Sequence, residues 1–523
     1  MAQGLVNSSI VTTTTGLPIH VEIVNIALMY WPLIMAGYPR LGPAFDSATE
    51  EIAATFPSLN VTQVYLKDSS TEGTFDDWLT YYNPEKTLAE YFFAAEKSGR
   101  TPPNITIFLM TGVVAENSLP TAQVSAELDT LLMTIVLCPV AEGIWPTWRT
   151  VTVLPIMTIS RFYQVMLERF HWSHFTLIWD TTANNFFTMF ADAAHNYLAK
   201  NSKSQMMYLN FNSQIYSAAD YAHVMLKISE YSRVILYAGH SEPLQALMTA
   251  AAKLNMTNGE YVFIASLPFR HALFGTFQWK SPNQSSDNPF KCLLVIEPTP
   301  VPATEELTEM EHHWKQMSKE KYNLTYGQDE KLNPYTASAY NGMMVLAQVA
   351  EELRQSGSNL TNFSGRKVAA AFNNRTFHLK TGKLTFNADG EKIPDMSLTQ
   401  TDPISGEIKG VMELEASTGL LVTTGTLKWP AEWPVPNEPY CGYRGDSIRC
   451  QIIVNSSAKY GVALGSTSAL VIVCGMLFFS LRSRAVFHCL RTDYESWWRL
   501  ELEYYRPKKT VICYRSYADI RFT

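Results

Sequence analysis

Short apolar runs and amphipathic stretches alternate along most of this chain. VEIVNIALMYW (21–31) is β-branched and apolar, and PAFDSATEEIAATF (43–56) then has helical spacing. NVTQVYLKD (60–68) predicts a strand, 75–97 a long amphipathic helix, NITIFLMTG (104–112) a strand, LPTAQVSAELDTLL (119–132) a helix and TIVLCP (134–139) a strand. A break at 140–159 predicts a crossing between two lobes. The rhythm then resumes with helices at 160–170, 185–200, 221–231 and 243–255, and strands at 174–180, 206–212, 233–239 and 261–266. All-apolar strands divided by helical periods predict parallel sheets covered by helices on both faces.

The pattern changes near residue 287. KCLLVIEPTP (291–300) predicts one more strand with Pro-rich exits, suited to a second crossing, and helices follow at 304–320 and 335–355. Glu305, Glu306, Glu309, Glu311, His312 and His313 form a solvated helix face, because no Cys or Asp completes a metal ligand set there. Residues 376–429 hold short strands with Gly turns at 381–382, 389–390 and 405–406, which predicts β-hairpins. No internal repeat and no low-complexity tract interrupts the chain.

One run behaves differently. YGVALGSTSALVIVCGMLFFSL (460–481) carries no charge. At 1.5 Å per residue it makes about 33 Å of helix, enough to cross a ~30 Å hydrocarbon core. Arg482, Arg484 and Arg491 follow it, which places the C-terminal side in the cytoplasm. The N-x-Ser/Thr sequons Asn7, Asn60, Asn104, Asn255, Asn283, Asn323, Asn359, Asn362, Asn374 and Asn455 all precede the run, and none follows it. Both signals predict a single-span protein of the cell membrane with an extracellular N-terminal portion. The opening MAQGLVNSSIVTTTTGLPIH has neither a basic n-region nor an apolar h-region. The expectation is an N-terminus that continues upstream, with a late signal anchor at 460–481 as the alternative; residues 1–20 are expected to be disordered.

Charge and cysteines refine this picture. The last 42 residues hold nine Lys/Arg and five Asp/Glu, net +4, leaving −11 for the rest of a chain whose total is −7. An acidic outer portion argues against nucleic acid as a partner. Cys441 and Cys450, the two ends of the ten-residue segment CGYRGDSIRC, are positioned to close a small disulfide loop. Cys138 and Cys292 lie in apolar runs, so a bridge and buried thiols both stay open.

No catalytic constellation emerges: G-x-x-x-x-G-K-[ST], H-E-x-x-H, G-x-S-x-G and close C-x-x-C are all missing from the sequence. No cofactor and no metal is expected. Two parallel α/β lobes instead make a cleft, with ligand beyond the carboxyl ends of the strands. The loops at those ends make Tyr30, Trp31, Thr111, Gly112, Asp180, Thr181, Gly239 and His240 the cleft candidates.

Several segments then combine. IWPTWRT (144–150), RFHWSHFTLIWD (169–180) and KLNMTNGEYVFI (253–264) resemble, in order and spacing, the extracellular region of receptor-type guanylyl cyclases and natriuretic-peptide-type receptors. RTFHLKTGKLTFNADGEKIPDMSL (375–398), ISGEIKGVMEL (404–414), LKWP (427–430) and PNEPYCGYRGDSIRC (436–450) resemble later parts of the same region. YESWWRLELEYY (494–505) resembles the opening of the family's kinase-like region.

This resemblance implies an α/β, two-lobed type I periplasmic-binding-protein-like fold plus one transmembrane helix. The expected organisation is a ligand-binding domain at 21–440, with lobe 1 at about 21–150 plus part of 290–355. Lobe 2 is expected at about 151–289 plus part of 356–430. A stem (441–459), a span (460–481) and a tail (482–523) complete it. The implied function is an extracellular-ligand receptor, a homodimer or a dimer with full-length relatives, without catalysis by this tail. A short-tailed clearance or decoy receptor is the alternative. The first-lobe cysteine pattern of natriuretic peptide receptors is not matched, so the ligand, peptide or small molecule, is left open.

Overall fold

Two sheets are laid down in succession. The computed structural model describes residues 19–26, 35–66, 83–100, 106–111, 118–136, 145–277, 279, 288–327, 330–357, 364–402, 405–448, 470–473 and 476. The first sheet holds β1 (Ile19–Ile26), β2 (Leu59–Leu66), β3 (Thr106–Thr111), β4 (Leu132–Thr134) and β5 (Trp148–Thr150) in the order β2-β1-β3-β4-β5. All its pairings are parallel.

Alternation along β1 assigns its two faces. Glu22, Val24 and Ile26 meet helices α2 (Pro84–Lys97) and α3 (Ser118–Glu127), whose Leu88, Tyr91, Ala95 and Ala122 are buried there. Val21 and Ile23 join the core on the other face with α1 (Tyr38–Thr55). In α1, Leu41, Ala44, Phe45, Ala48 and Ile52 recur at helical spacing and are all buried, as an amphipathic helix requires.

The second sheet runs β15-β14-β13-β10-β9-β8-β6-β7. Its parallel part is β6 (His174–Asp180), β7 (Gln205–Phe211), β8 (Val234–Ala238), β9 (Val262–Ser266) and β10 (Leu293–Pro298). Central β8 and β9 are buried at every position, which accounts for their unbroken apolar sequences. Helix α4 (Ile156–Arg169) leads into β6, and α5 (Asn185–Asn201), α6 (Ala218–Ser229) and α7 (Ser241–Lys253) connect β6 through β9. Helix α6 opens with a capping box between Ser217 and Asp220, a feature that contributes about 1 kcal/mol.

The chain passes between the sheets at three places. It leaves β5 for α4 through 151–155. It leaves β10 for α8 (Glu305–Tyr322), which packs on α1 and precedes α9 (Pro334–Gln355), another α1 neighbour. It returns after α10 (Gly365–Ala370) and the hairpin β11 (Thr376–Leu379)–β12 (Gly382–Thr385). That last passage leads into β13 (Met396–Thr401), β14 (Ile408–Leu414) and β15 (Leu421–Thr423). The passages are tied together. Lys392 Nζ donates to the Thr152 carbonyl at 2.7 Å, and Thr299 N–H to the Asp395 carbonyl at 2.9 Å.

Five expectations need correction. The second sheet is mixed, because β13 pairs antiparallel to β10, and β14 and β15 continue the antiparallel order; the short β13–β14 and β14–β15 connections permit nothing else. The helix expected to reach 132 ends at Glu127, where Asp129 turns with φ 47°. The strand expected at 134–139 is therefore Leu132–Thr134, set by parallel pairing to Leu109–Thr111. The break at 140–159 contains β5, held by Trp148 pairing to Leu132. Finally, β1 begins at Ile19, inside the segment expected to be disordered, because Ile19 N–H donates to the Ser58 carbonyl at 2.9 Å.

Candidate ligand-binding site

Strand order reverses between β1 and β3 in the first sheet and between β6 and β8 in the second. Crevices at such reversals, beyond the carboxyl ends, are where open α/β sheets take ligands. Four of the eight sequence candidates come together at the second reversal: Asp180 ends β6 and Thr181 follows it, and Gly239 and His240 follow β8. Thr111 ends β3 opposite Ile26 of β1. Tyr30, Trp31 and Gly112 lie outside the described residues.

Asp180 organises this edge. It is buried, and its Oδ1 accepts from Thr182 N–H (3.1 Å), Thr182 Oγ1 (2.8 Å) and Ser213 N–H (3.1 Å), while Oδ2 accepts from Ser213 Oγ at 2.7 Å. With its lone pairs committed, the carboxylate shapes the two loops rather than meeting a ligand. Thr181 is exposed, and its N–H and Oγ1 both donate to the Phe211 carbonyl, at 2.8 and 3.1 Å.

Gly239 is held between these groups. A Cβ there would stand 2.5 Å from the Tyr237 hydroxyl and 3.3 Å from Asp180 Cβ, so glycine is a packing requirement. Tyr237 donates to the His240 carbonyl at 2.8 Å. Burial pushes its phenol well up, with the Asp180 and Tyr221 charges adding to the effect. It therefore remains a donor at physiological pH. Half-buried His240 precedes the first turn of α7, and its side chain does not cap the helix.

The loop 267–277, which follows β9, closes over this edge. Thr276 N–H donates to Ser241 Oγ at 3.1 Å, and Asn184 Nδ2 to the Leu273 carbonyl at 3.0 Å. Phe269 packs edge-on against Phe274 (4.9 Å between centroids) and against Tyr335 of α9 (5.5 Å), bringing a first-sheet helix to the second-sheet loop. His271 is held below its ordinary value by burial and then by the Arg40 charge from α1, which Glu330 opposes.

Arg270 makes a bidentate pair with Glu297, Nε–Oε2 at 2.8 Å and Nη2–Oε1 at 2.7 Å; Thr399 Oγ1 adds a bond to Oε1 at 3.1 Å. Glu297 is 3% exposed, and the pair borders a cavity of about 40 Å³, room for a water molecule or two. Hydrogen bonding to Glu297 raises the Arg270 guanidinium further, although burial acts against its charge. Sequence reading missed this pair. Its one signal was a glutamate inside the apolar strand LLVIEP, a buried charge that demands a partner.

Other expectations divide by location. Asn60, Asn255, Asn323 and Asn374 are exposed, and the last three adopt positive φ. Asn7, Asn104, Asn283, Asn359, Asn362 and Asn455 lie outside the described residues. Cys441 is disulfide-bonded, and Cys450 lies outside the described residues. Cys292 is an unbridged, buried thiol whose Sγ donates to the Thr257 carbonyl at 3.3 Å, and burial pushes it up to about 12. It therefore does not pair with Cys138. No helix among the described residues is long and apolar enough to cross a membrane, and most of 460–481 lies outside them. On α8, Glu306 meets Lys380 at 3.6 Å.

Residues 148–404 match the receptor family ligand binding region, a span that starts at β5 and takes in the second sheet through β13. The chain is 26% identical over 266 residues to the receptor-type guanylate cyclase gcy-28 of Caenorhabditis elegans, covering 49% of this chain and 20% of that protein. It is 23% identical over 292 residues to human atrial natriuretic peptide receptor 2, covering 52% and 26% respectively. Bovine atrial natriuretic peptide receptor 3 is 21% identical over 287 residues, covering 52% and 50%. The chain thus spans between a fifth and a half of these relatives' lengths.

Proposed function

Starting from a chain that carries a receptor-family ligand-binding region, distantly similar to those of receptor guanylate cyclases and natriuretic peptide receptors, we propose a single-pass cell-surface receptor. Its two sheets are the lobes of a type I periplasmic-binding-like module at about 21–440. Lobe 1 is about 21–150 plus part of 290–355, and the Arg149 Nε bond to the Ala369 carbonyl at 2.9 Å supports counting 365–385 with it. Lobe 2 is about 151–289 with 396–430. The remaining stem, span and tail are 441–459, 460–481 and 482–523. An extracellular ligand, a peptide or small molecule, sits at the carboxyl edges of β6 and β8, and the receptor acts as a dimer with itself or with relatives. The observation that carries this reading is the pairing of two strand-order reversals, one per sheet, across three tied crossings.

Ligand that binds only the folded state raises thermal stability by mass action. Thermal melts of the full chain should be run with a natriuretic peptide, the ligand class in the relatives' names, and with a panel of free amino acids. A rise in Tm that is lost in the His240→Ala variant supports the reading. A rise unaffected by changes at 180–182 and 238–241 places the ligand elsewhere, and no rise with any probe counts against these ligand classes.

A further inference from the structure

The segment after β15 runs along the amino ends of the second-sheet strands, opposite the edge described above. Lys428 N–H donates to Gln400 Oε1 at 3.1 Å, and Gln400 Nε2 returns a bond to the Lys428 carbonyl at 2.8 Å. Trp429 Nε1 donates to the Gly259 carbonyl at 2.9 Å, just before β9. Trp433 seats among Trp429 (4.9 Å), Phe170 (5.3 Å) and Trp172 (5.9 Å). The Trp172 indole N–H, buried between α4 and β6, donates to the Val435 carbonyl at 2.8 Å.

Asn437 completes the seat. Its Oδ1 accepts from the backbone N–H groups of Ser173 (2.6 Å) and His174 (3.3 Å), and its Nδ2 donates to Ser173 Oγ at 2.7 Å. These are the N–H groups of the residue before β6 and of the strand's first residue. Tyr443 donates to the Asn437 carbonyl at 2.8 Å and packs 6.0 Å from the His174 ring. Gly259 makes the close approach possible: it sits at φ +101°, and a Cβ there would lie 2.7 Å from Ala431 N and Cβ. Each partner named here lies in the second sheet or in the turns that lead into its strands.

We propose that residues 427–447 are a strap that locks the outgoing chain to the second lobe alone. The strap carries displacement of that lobe to the chain beyond Ser447 and leaves displacement of the first lobe untransmitted. Its mechanical role rests on the receptor reading above; the lock itself does not. Aromatic seating supplies the grip, and the Asn437 bonds fix the direction in which the chain leaves.

Hydrogen exchange on the full chain, without ligand, tests the lock. The amides the lock commits, Lys428 and Gly442 in the strap and Ser173 and His174 beneath Asn437, should be protected far above exposed loops. Asn437→Ala, whose side chain is outside the core, should speed exchange of 435–447 about tenfold while β8 and β9 keep their protection. Trp433→Ala should do the same over 427–447. Exchange of the native strap as fast as a loop would overturn the proposal. So would equal acceleration throughout β6–β9, because the segment would then be ordinary core. Neither result depends on finding a ligand, so failure here leaves the receptor reading standing, and a receptor without a ligand in hand leaves the strap standing.

Discussion

Arg161 on α4 reaches Glu391 in the third crossing, Nη2 to Oε2 at 2.5 Å, and Asn387 Nδ2 donates to the same oxygen at 3.1 Å. The pair ties a second-sheet helix to the passage between the sheets. Next to it, Gly390 (φ +75°) leaves no room for a Cβ against the buried guanidinium of Arg149, whose Nη2 donates to Asn373 at 3.0 Å. The crossing is a packed joint.

Removing one partner of a largely buried pair leaves an uncompensated charge. Glu391→Ala should cost about 3 kcal/mol in chemical denaturation, and the double variant Glu391→Ala/Arg161→Met should cost less than Glu391→Ala alone. Burial disfavours the Arg161 charge and Glu391 more than offsets it, so the orphaned arginine is the source of the loss. Equal stabilities for all three chains would contradict this.

Gly239→Ala should lower stability by about 1–3 kcal/mol through overpacking against Tyr237. Adding Tyr237→Phe removes the oxygen 2.5 Å away but leaves the ring carbon at 2.8 Å, so thermal melts should recover part of the loss. Full tolerance of the single substitution would mean that the β8 edge is loosely packed.

Glu351 supplies a pH signature. Arg354 hydrogen bonds hold its carboxyl at about 2, burial opposing and Ser58 and Gln355 assisting, against an ordinary 4.5. A depressed folded value gives stability that is fully present above pH 4.5 and lost as pH falls toward 2. Acid titration of unfolding should be less steep in that window for Glu351→Gln. Identical acid profiles would remove Glu351 from the account.

Cysteine chemistry separates two thiol classes. Maleimide should leave Cys292 unlabelled in the native chain and label it after denaturation, since burial both shields it and disfavours the thiolate. Non-reducing peptide maps should join Cys441 to Cys450, closing a loop that contributes about 2–3 kcal/mol. Native labelling of Cys292, or Cys441 joined elsewhere, would contradict these assignments.

The parallel strands were legible because burial on both faces writes unbroken apolar sequence: 174–180 matches β6 residue for residue. β4 and β5 were not. Their three-residue lengths are set by pairing to β3 and to each other, and long-range register leaves no local pattern. At the site, strand ends located Asp180 and Gly239, but chemistry alone could not reveal that Asp180 is committed to Thr182 and Ser213. The Arg270–Glu297 pair joins residues 27 positions apart, a partnership that only the fold specifies.

The claim that these lobes face the extracellular medium is tested most directly by glycopeptide mapping. The chain should be isolated from the surface of secretory cells after labelling with membrane-impermeant biotin. The account predicts biotinylated chain with glycans on the exposed Asn60, Asn255, Asn323 and Asn374. A folded chain inaccessible to biotin and unmodified at all four positions would contradict it.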